Sequence, residues 1–153
     1  MGEDEEFKFF INRATRDPIA AILLKYSRLT KIQYETLIID ILSDKISDKI
    51  ITYDEKALFR SSNVSRGSFS RTLSQARRNV VSAIYTILLL SYIGLFEQAP
   101  FDSYQILAER LQDYLRIYSE RKQSEGMILL KQIERELVDG INELARPKSL
   151  KPL

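Results

Sequence analysis

Between Phe69 and Ile87 the apolar residues Phe69, Leu73, Ala76, Val80, Ala83 (beside Ile84) and Ile87 recur at steps of four, three, four, three and four. That spacing puts a continuous apolar stripe on one face of an α-helix, and the alternation of a half-buried strand cannot produce it. The same period runs through the rest of the chain, and no segment sustains a two-residue repeat. The sequence therefore predicts an all-α, multi-helix fold. Five Gly and four Pro in 153 residues leave little material for a loop-rich sandwich, and 44% hydrophobic residues suffice for a core.

Helix boundaries are marked by their capping chemistry. Glu3–Thr15 reads as a first helix, with Phe7, Phe10, Ile11 and Ala14 on one side and acids in its first turn. Asp17-Pro18 reads as an N-cap followed by proline at the first helical position, opening a helix over Ile19–Arg28. Thr30…Gln33 has capping-box spacing and opens a third helix, with Tyr34, Leu37, Ile38, Ile41 and Leu42 as its expected buried stripe. Asp44–Lys49, polar and charged, reads as a loop or frayed turn. Thr52…Glu55 is a second capping box, starting a short helix to about Ser61. Ser62–Ser65 supplies a turn, with Asn63 able to take a left-handed conformation and Ser65 able to cap the next helix. The helix that follows is expected to run to Tyr92 and end at Gly94.

Composition excludes much of enzyme chemistry. The chain has no Cys and no His, which removes disulfides, thiolate metal sites, the commonest general base and the usual triad partner. It shows no glycine-rich phosphate loop, paired-carboxylate spacing or metal-ligand cluster. The expectation is a non-enzyme without cofactor or metal. The opening MGEDEEFKFF carries acids where an export signal carries Lys or Arg, so the chain reads as cytoplasmic.

Charge is unevenly placed. Lys56 to Phe96 contains no acid, whereas Lys56, Arg60, Arg66, Arg71, Arg77 and Arg78 give it six positive charges. Subtracting those six from the net +2 leaves −4 for the remainder. A one-sign patch interleaved with Ser65, Ser68, Ser70, Thr72, Ser74 and Gln75 is the footprint of a surface that meets phosphates; its bland alternative is a solvated helix face.

The segments LTKIQYETLIIDIL and ALFRSSNVSRGSFSRTLSQARRNV resemble, respectively, the supporting helix and the helix–turn–recognition-helix pair of helix-turn-helix DNA-binding proteins. The run NVSRGSFSRTLSQARRN…IYTILLLSYIGLFE is similar to archaeal helix-turn-helix regulators. The chain departs from the usual pattern where Phe59 stands in place of Ala, Asn63 in place of Gly, and Phe69 in place of a branched aliphatic residue. No hairpin follows Gly94, so no wing is expected. The resemblance implies double-stranded DNA binding and transcription regulation, with the helix from Ser65 entering the major groove. On that reading Ser65, Arg66, Ser70, Arg71, Ser74 and Gln75 face the groove, Arg66 and Arg71 are set for bases, and Arg60, Arg77 and Arg78 are set for phosphates.

Two stretches admit alternatives. Val80–Phe96 is seventeen uncharged residues, short for a membrane span and equally suited to a central helix wrapped by others; the no-membrane reading is favoured. In Phe101–Ala145, Tyr104, Leu107, Leu111, Tyr114 and Tyr118 form one seam, and Leu130, Ile133, Leu137 and Leu144, with Ile141 beside them, form another. A helical hairpin and one kinked helix both fit. A homodimer through these helices is favoured over intramolecular packing, since it presents two recognition helices to successive grooves. The expected division is N-terminal helices 1–28, a helix-turn-helix domain 29–98, a dimerisation region 99–145 and a basic tail 146–153. A helical protein–protein interaction module without nucleic-acid binding is the competing function. Single-strand RNA recognition is disfavoured, because the aromatic residues sit on apolar stripes.

Overall fold

The computed structural model describes residues 2–94, 101–120 and 123–144, with the side chains of 101–104 and 142–144 outside the description. Within these residues there are seven helices and no strand: α1 Glu3–Thr15, α2 Pro18–Tyr26, α3 Lys31–Ile46, α4 Tyr53–Leu58, α5 Arg66–Tyr92, α6 Phe101–Glu120 and α7 Gln123–Leu144. The fold is all-α, and no described helix is long and apolar enough to cross a membrane. The proposed tail 146–153 lies outside the described residues.

Local chemistry starts the helices where the sequence places the caps. Asp17 accepts hydrogen bonds from the backbone of Ile19 and Ala20, both at 2.9 Å. Thr30 with Gln33 and Thr52 with Glu55 form complete capping boxes. Ser65 accepts from the Ser68 amide and begins α5. Gly94, at φ 75°, follows its end. A β-carbon is strained in that conformation, so glycine makes a natural stop.

The chain divides into two compact units, residues 1–83 and 84–153. In the first, Phe7 and Ile11 of α1, Ile39 of α3, Ala57 of α4, and Phe69 and Leu73 of α5 form one buried cluster. Helix α1 thus supplies part of the core beneath α3 and α5. Phe7 and Phe59 meet edge to face with ring centroids 4.4 Å apart. Full burial of a large apolar side chain, as at Phe69, Ile39 and Leu73, contributes about 1.5–3 kcal/mol. The Tyr34 hydroxyl donates to the Ala14 carbonyl at 3.0 Å, fastening α3 to the end of α1.

Helix α3 differs from its sequence reading. Its most buried positions are Glu35, Thr36, Ile39, Asp40 and Ser43, whereas Leu37, Ile38 and Leu42 are only partly covered and Ile41 is exposed. The physical reason is that α1 packs on one side of α3 while α4 and α5 deliver cations to the other. Thr36 and Ser43 donate back to the carbonyls of Ile32 and Ile39. Among the described residues no buried side-chain polar atom lacks a hydrogen-bond partner. The helix also extends to Ile46, through much of the segment expected to be a loop.

In the second unit, a β-carbon on Gly126 would come within 2.7 Å of the Tyr118 ring. Eight residues of continuous helix would separate these positions by about 12 Å along the axis. The chain therefore reverses between α6 and α7, and the hairpin holds. Continuing an antiparallel register from that pair sets Leu111 across from Ile133, and both are buried. Tyr104 and Leu144 of the expected seams lie outside the described side chains.

Asp40→Asn keeps the shape of the side chain but leaves two cations short of their counter-charge. Urea unfolding is expected to show a loss of about 3–5 kcal/mol; a loss under 1 kcal/mol would make this carboxylate incidental to the fold.

Candidate nucleic-acid interface

The surface of α5 follows from how its core face is held. Phe69, Leu73 and Ala76 are buried. Gly67, Arg71, Ser74 and Arg78 repeat at steps of four, three and four on the opposite side of the helix. Arg66 and Ser70 border this row on one flank and Gln75 on the other. Ser65, Arg66, Arg71, Ser74, Gln75 and Arg78 are exposed, and Ser70 is half-buried. Ser65 is exposed but already engaged as the cap of α5.

The six cations of the acid-free window separate into distinct roles. Arg60 is buried: its Nε donates to Glu35 at 2.7 Å and its Nη1 to Thr36 at 3.1 Å. The expected phosphate contact by Arg60 is therefore corrected to a structural one, since a guanidinium with 2% side-chain exposure does not reach a phosphate. Glu35 also accepts from the Ser61 amide at 2.8 Å, so this carboxylate fixes the connection leading into α5. Lys56 is likewise buried and meets Asp40 at 2.8 Å. Arg77 donates to the other oxygen of Asp40 at 2.6 Å, although 55% of its side chain remains exposed. Arg77 is thus half committed to the fold. Arg66 lies 3.9 Å from Asp54 with both side chains mostly in solvent, a pairing worth about 0–1 kcal/mol. Arg71 and Arg78 have no ion-pair partner among the described residues.

The acids that answer these cations were missed because they come from α3, well before the window in sequence. The available signal was Glu35 and Asp40 lying within an otherwise apolar helical run. Asn79 adds a further tie, its amide donating to the Arg28 carbonyl at 3.2 Å and to Gln33 at 3.0 Å, which holds α5 against the start of α3.

The connection between α4 and α5 also differs from expectation. It spans seven residues, 59–65, between Leu58 and Arg66. Among the described residues no non-glycine residue has positive φ, so Asn63 is not left-handed. A connection of this length turns by small steps and needs no left-handed residue.

Burial works against the charge on Lys56, but the Asp40 hydrogen bond and the carboxylates of Asp40 and Asp44 outweigh it and raise its pKa. The Tyr34 hydroxyl is raised too, first by burial and then by Asp17. Among the described residues no group of three or more acidic, His or Cys side chains is arranged to hold a metal ion. Comparison with protein-family models, curated proteins and solved structures finds no match to this chain.

Because the folded pKa of Lys56 lies above the unfolded one, its stabilisation is complete below about pH 10.4 and is lost as pH climbs through the raised value. Urea midpoints are expected to hold steady from neutrality to mild alkali and then fall. Lys56→Met should give a shallower alkaline fall, with Tyr34, whose hydroxyl is also raised, contributing to what remains. Equal alkaline slopes for the two proteins would contradict this assignment.

Proposed function

We propose that the protein binds double-stranded DNA with the outer row of α5 and acts in transcription regulation as a homodimer. The observation that carries this reading is the placement of Arg71 and Arg78. These two exposed cations lack ion-pair partners among the described residues, lie about 10 Å apart along one face, and flank Ser74 opposite the buried side of the helix. Rigid support beneath that face favours recognition over a loosely solvated surface.

Arg71 is the residue proposed for base edges, where a guanidinium bridges the two acceptors of guanine. Arg66, which borders the outer row on the flank beside Asp54, moves from the base role expected in the sequence to phosphate contact with Arg78. Ser70, Ser74 and Gln75 are proposed for polar contacts beside them. Arg77 keeps at most a shared role, because Asp40 holds one of its nitrogens. Gly67 leaves the start of the row without a side chain, which suits close approach to a duplex backbone.

A second reading, a protein-interaction module, is favoured by one feature. Ile84, Tyr85, Leu88, Leu89 and Tyr92 at the end of α5 are exposed, Tyr92 at 86%. Apolar surface of this kind marks an association site. Within the DNA reading the proposed homodimer forms through the C-terminal helices, and the second copy also covers this end of α5.

Binding to duplex DNA across a salt series tests the proposal. Affinity is expected to fall steeply with salt, and Arg66→Ala/Arg71→Ala/Arg78→Ala should weaken binding and reduce the salt slope by about two units. No binding by the wild type at low salt, in a protein shown to be folded, would leave the interaction module as the better reading.

A further inference from the structure

A cavity of about 810 Å³ lies in the first unit, bounded by the end of α1, α2, the start of α3 and Ser61. That volume falls within the range of small-molecule sites. Its chemistry is divided. Ala21, Leu24, Leu29 and Ile32 give apolar wall, while Arg16, Lys25 and Lys31 bring three cations against the single acid Glu35. Glu35 is already held by Arg60 and Ser61, so it does not answer Arg16 or Lys31. Arg16 and Lys31 are exposed, and neither has an ion-pair partner among the described residues.

We infer that this cavity is a binding site for a small amphipathic anion, with its carboxylate or phosphate between Arg16 and Lys31 and its apolar body against Leu24 and Ile32. Charge selects the sign of the head group, and the apolar wall selects against small hydrophilic ions. Neither feature is required by the fold. Among the described residues the fold sets no counter-charge beside Arg16 or Lys31, and an apolar recess left to water gains nothing for stability.

The site also touches the clamp on the reading helix. Glu35 and Ser61 line the cavity and are hydrogen-bonded to each other at the connection into α5. An occupant is therefore positioned to bias that connection. This consequence for regulation rests on the DNA reading, whereas ligand binding itself does not.

The test is calorimetric titration of the free 153-residue chain with octanoate, octyl phosphate, octanol and octylamine. Octanoate and octyl phosphate are expected to bind with one-to-one stoichiometry and to compete; the tighter of the two identifies the preferred head group. Octanol should be roughly tenfold weaker and octylamine should not bind. Arg16→Glu/Lys31→Glu should weaken octanoate roughly tenfold or more while circular dichroism stays unchanged. Ala21→Trp, which retains every charge and fills the recess, should also abolish binding. Equal binding of octylamine, or full octanoate affinity in both folded variants, would overturn the proposal. Because DNA is absent from this titration, its outcome is independent of whether α5 reads a duplex.

Discussion

The carboxylate of Asp40 sits at the junction of three helices, 6% exposed, with Lys56 of α4 on one oxygen and Arg77 of α5 on the other. Two cations around one buried acid form a stable arrangement only while all three are present. Removing one partner strands charge in a poorly solvated place. Five residues before it on the same helix, Glu35 does similar work for Arg60 and for the backbone entering α5. The position of α5 on the core thus depends on polar groups as well as on Phe69 and Leu73. Hydrophobic burial supplies the driving force, and the ion pairs fix how the helices meet.

This pairing determines what the surface has to offer. A stretch without acids looks uniformly basic in sequence, yet its charge is divided once α3 is folded against it. Lys56 and Arg60 turn inward, Arg77 is shared, and Arg71 and Arg78 remain with Arg66 on the outside. The functional proposal therefore rests on three outward cations and the polar residues between them, not on six. Salt-dependent recognition by a small set of charges on a rigid helix is physically reasonable, since the supporting side of that helix is tightly held.

Much of the fold was legible in the sequence because local signals agreed with one another. Both capping boxes, the Asp17 cap, the start of α5 at Ser65 and its end near Gly94 are short-range chemistry, and the structure places them as the residues predict. The buried end of the α5 stripe was legible for the same reason. Beyond Ala76 that stripe continues in sequence, but Val80 and Ile84 are exposed. Periodicity reports which residues share a face, not what covers it. The face of α3 was misread because polarity and burial part company there: Glu35, Thr36, Asp40 and Ser43 are buried with partners that only tertiary structure brings near. Arg60 could not be assigned for the same reason, as its counter-charge lies 25 residues earlier. The reversal between α6 and α7 hinged on one close approach, Tyr118 against Gly126, which no seam pattern specifies.

The most direct test of this division compares Arg60→Ala with Arg71→Ala, reading unfolding free energy and DNA affinity on each protein. Opposite signatures are expected. Arg60→Ala should lose about 3–5 kcal/mol of stability because it strands Glu35, while the folded fraction retains the wild-type salt slope. Arg71→Ala should unfold within about 0.5 kcal/mol of wild type and bind DNA measurably more weakly. A stable Arg60→Ala protein with a reduced salt slope would show that Arg60 meets phosphate after all, and would contradict the assignment of structural and outward cations.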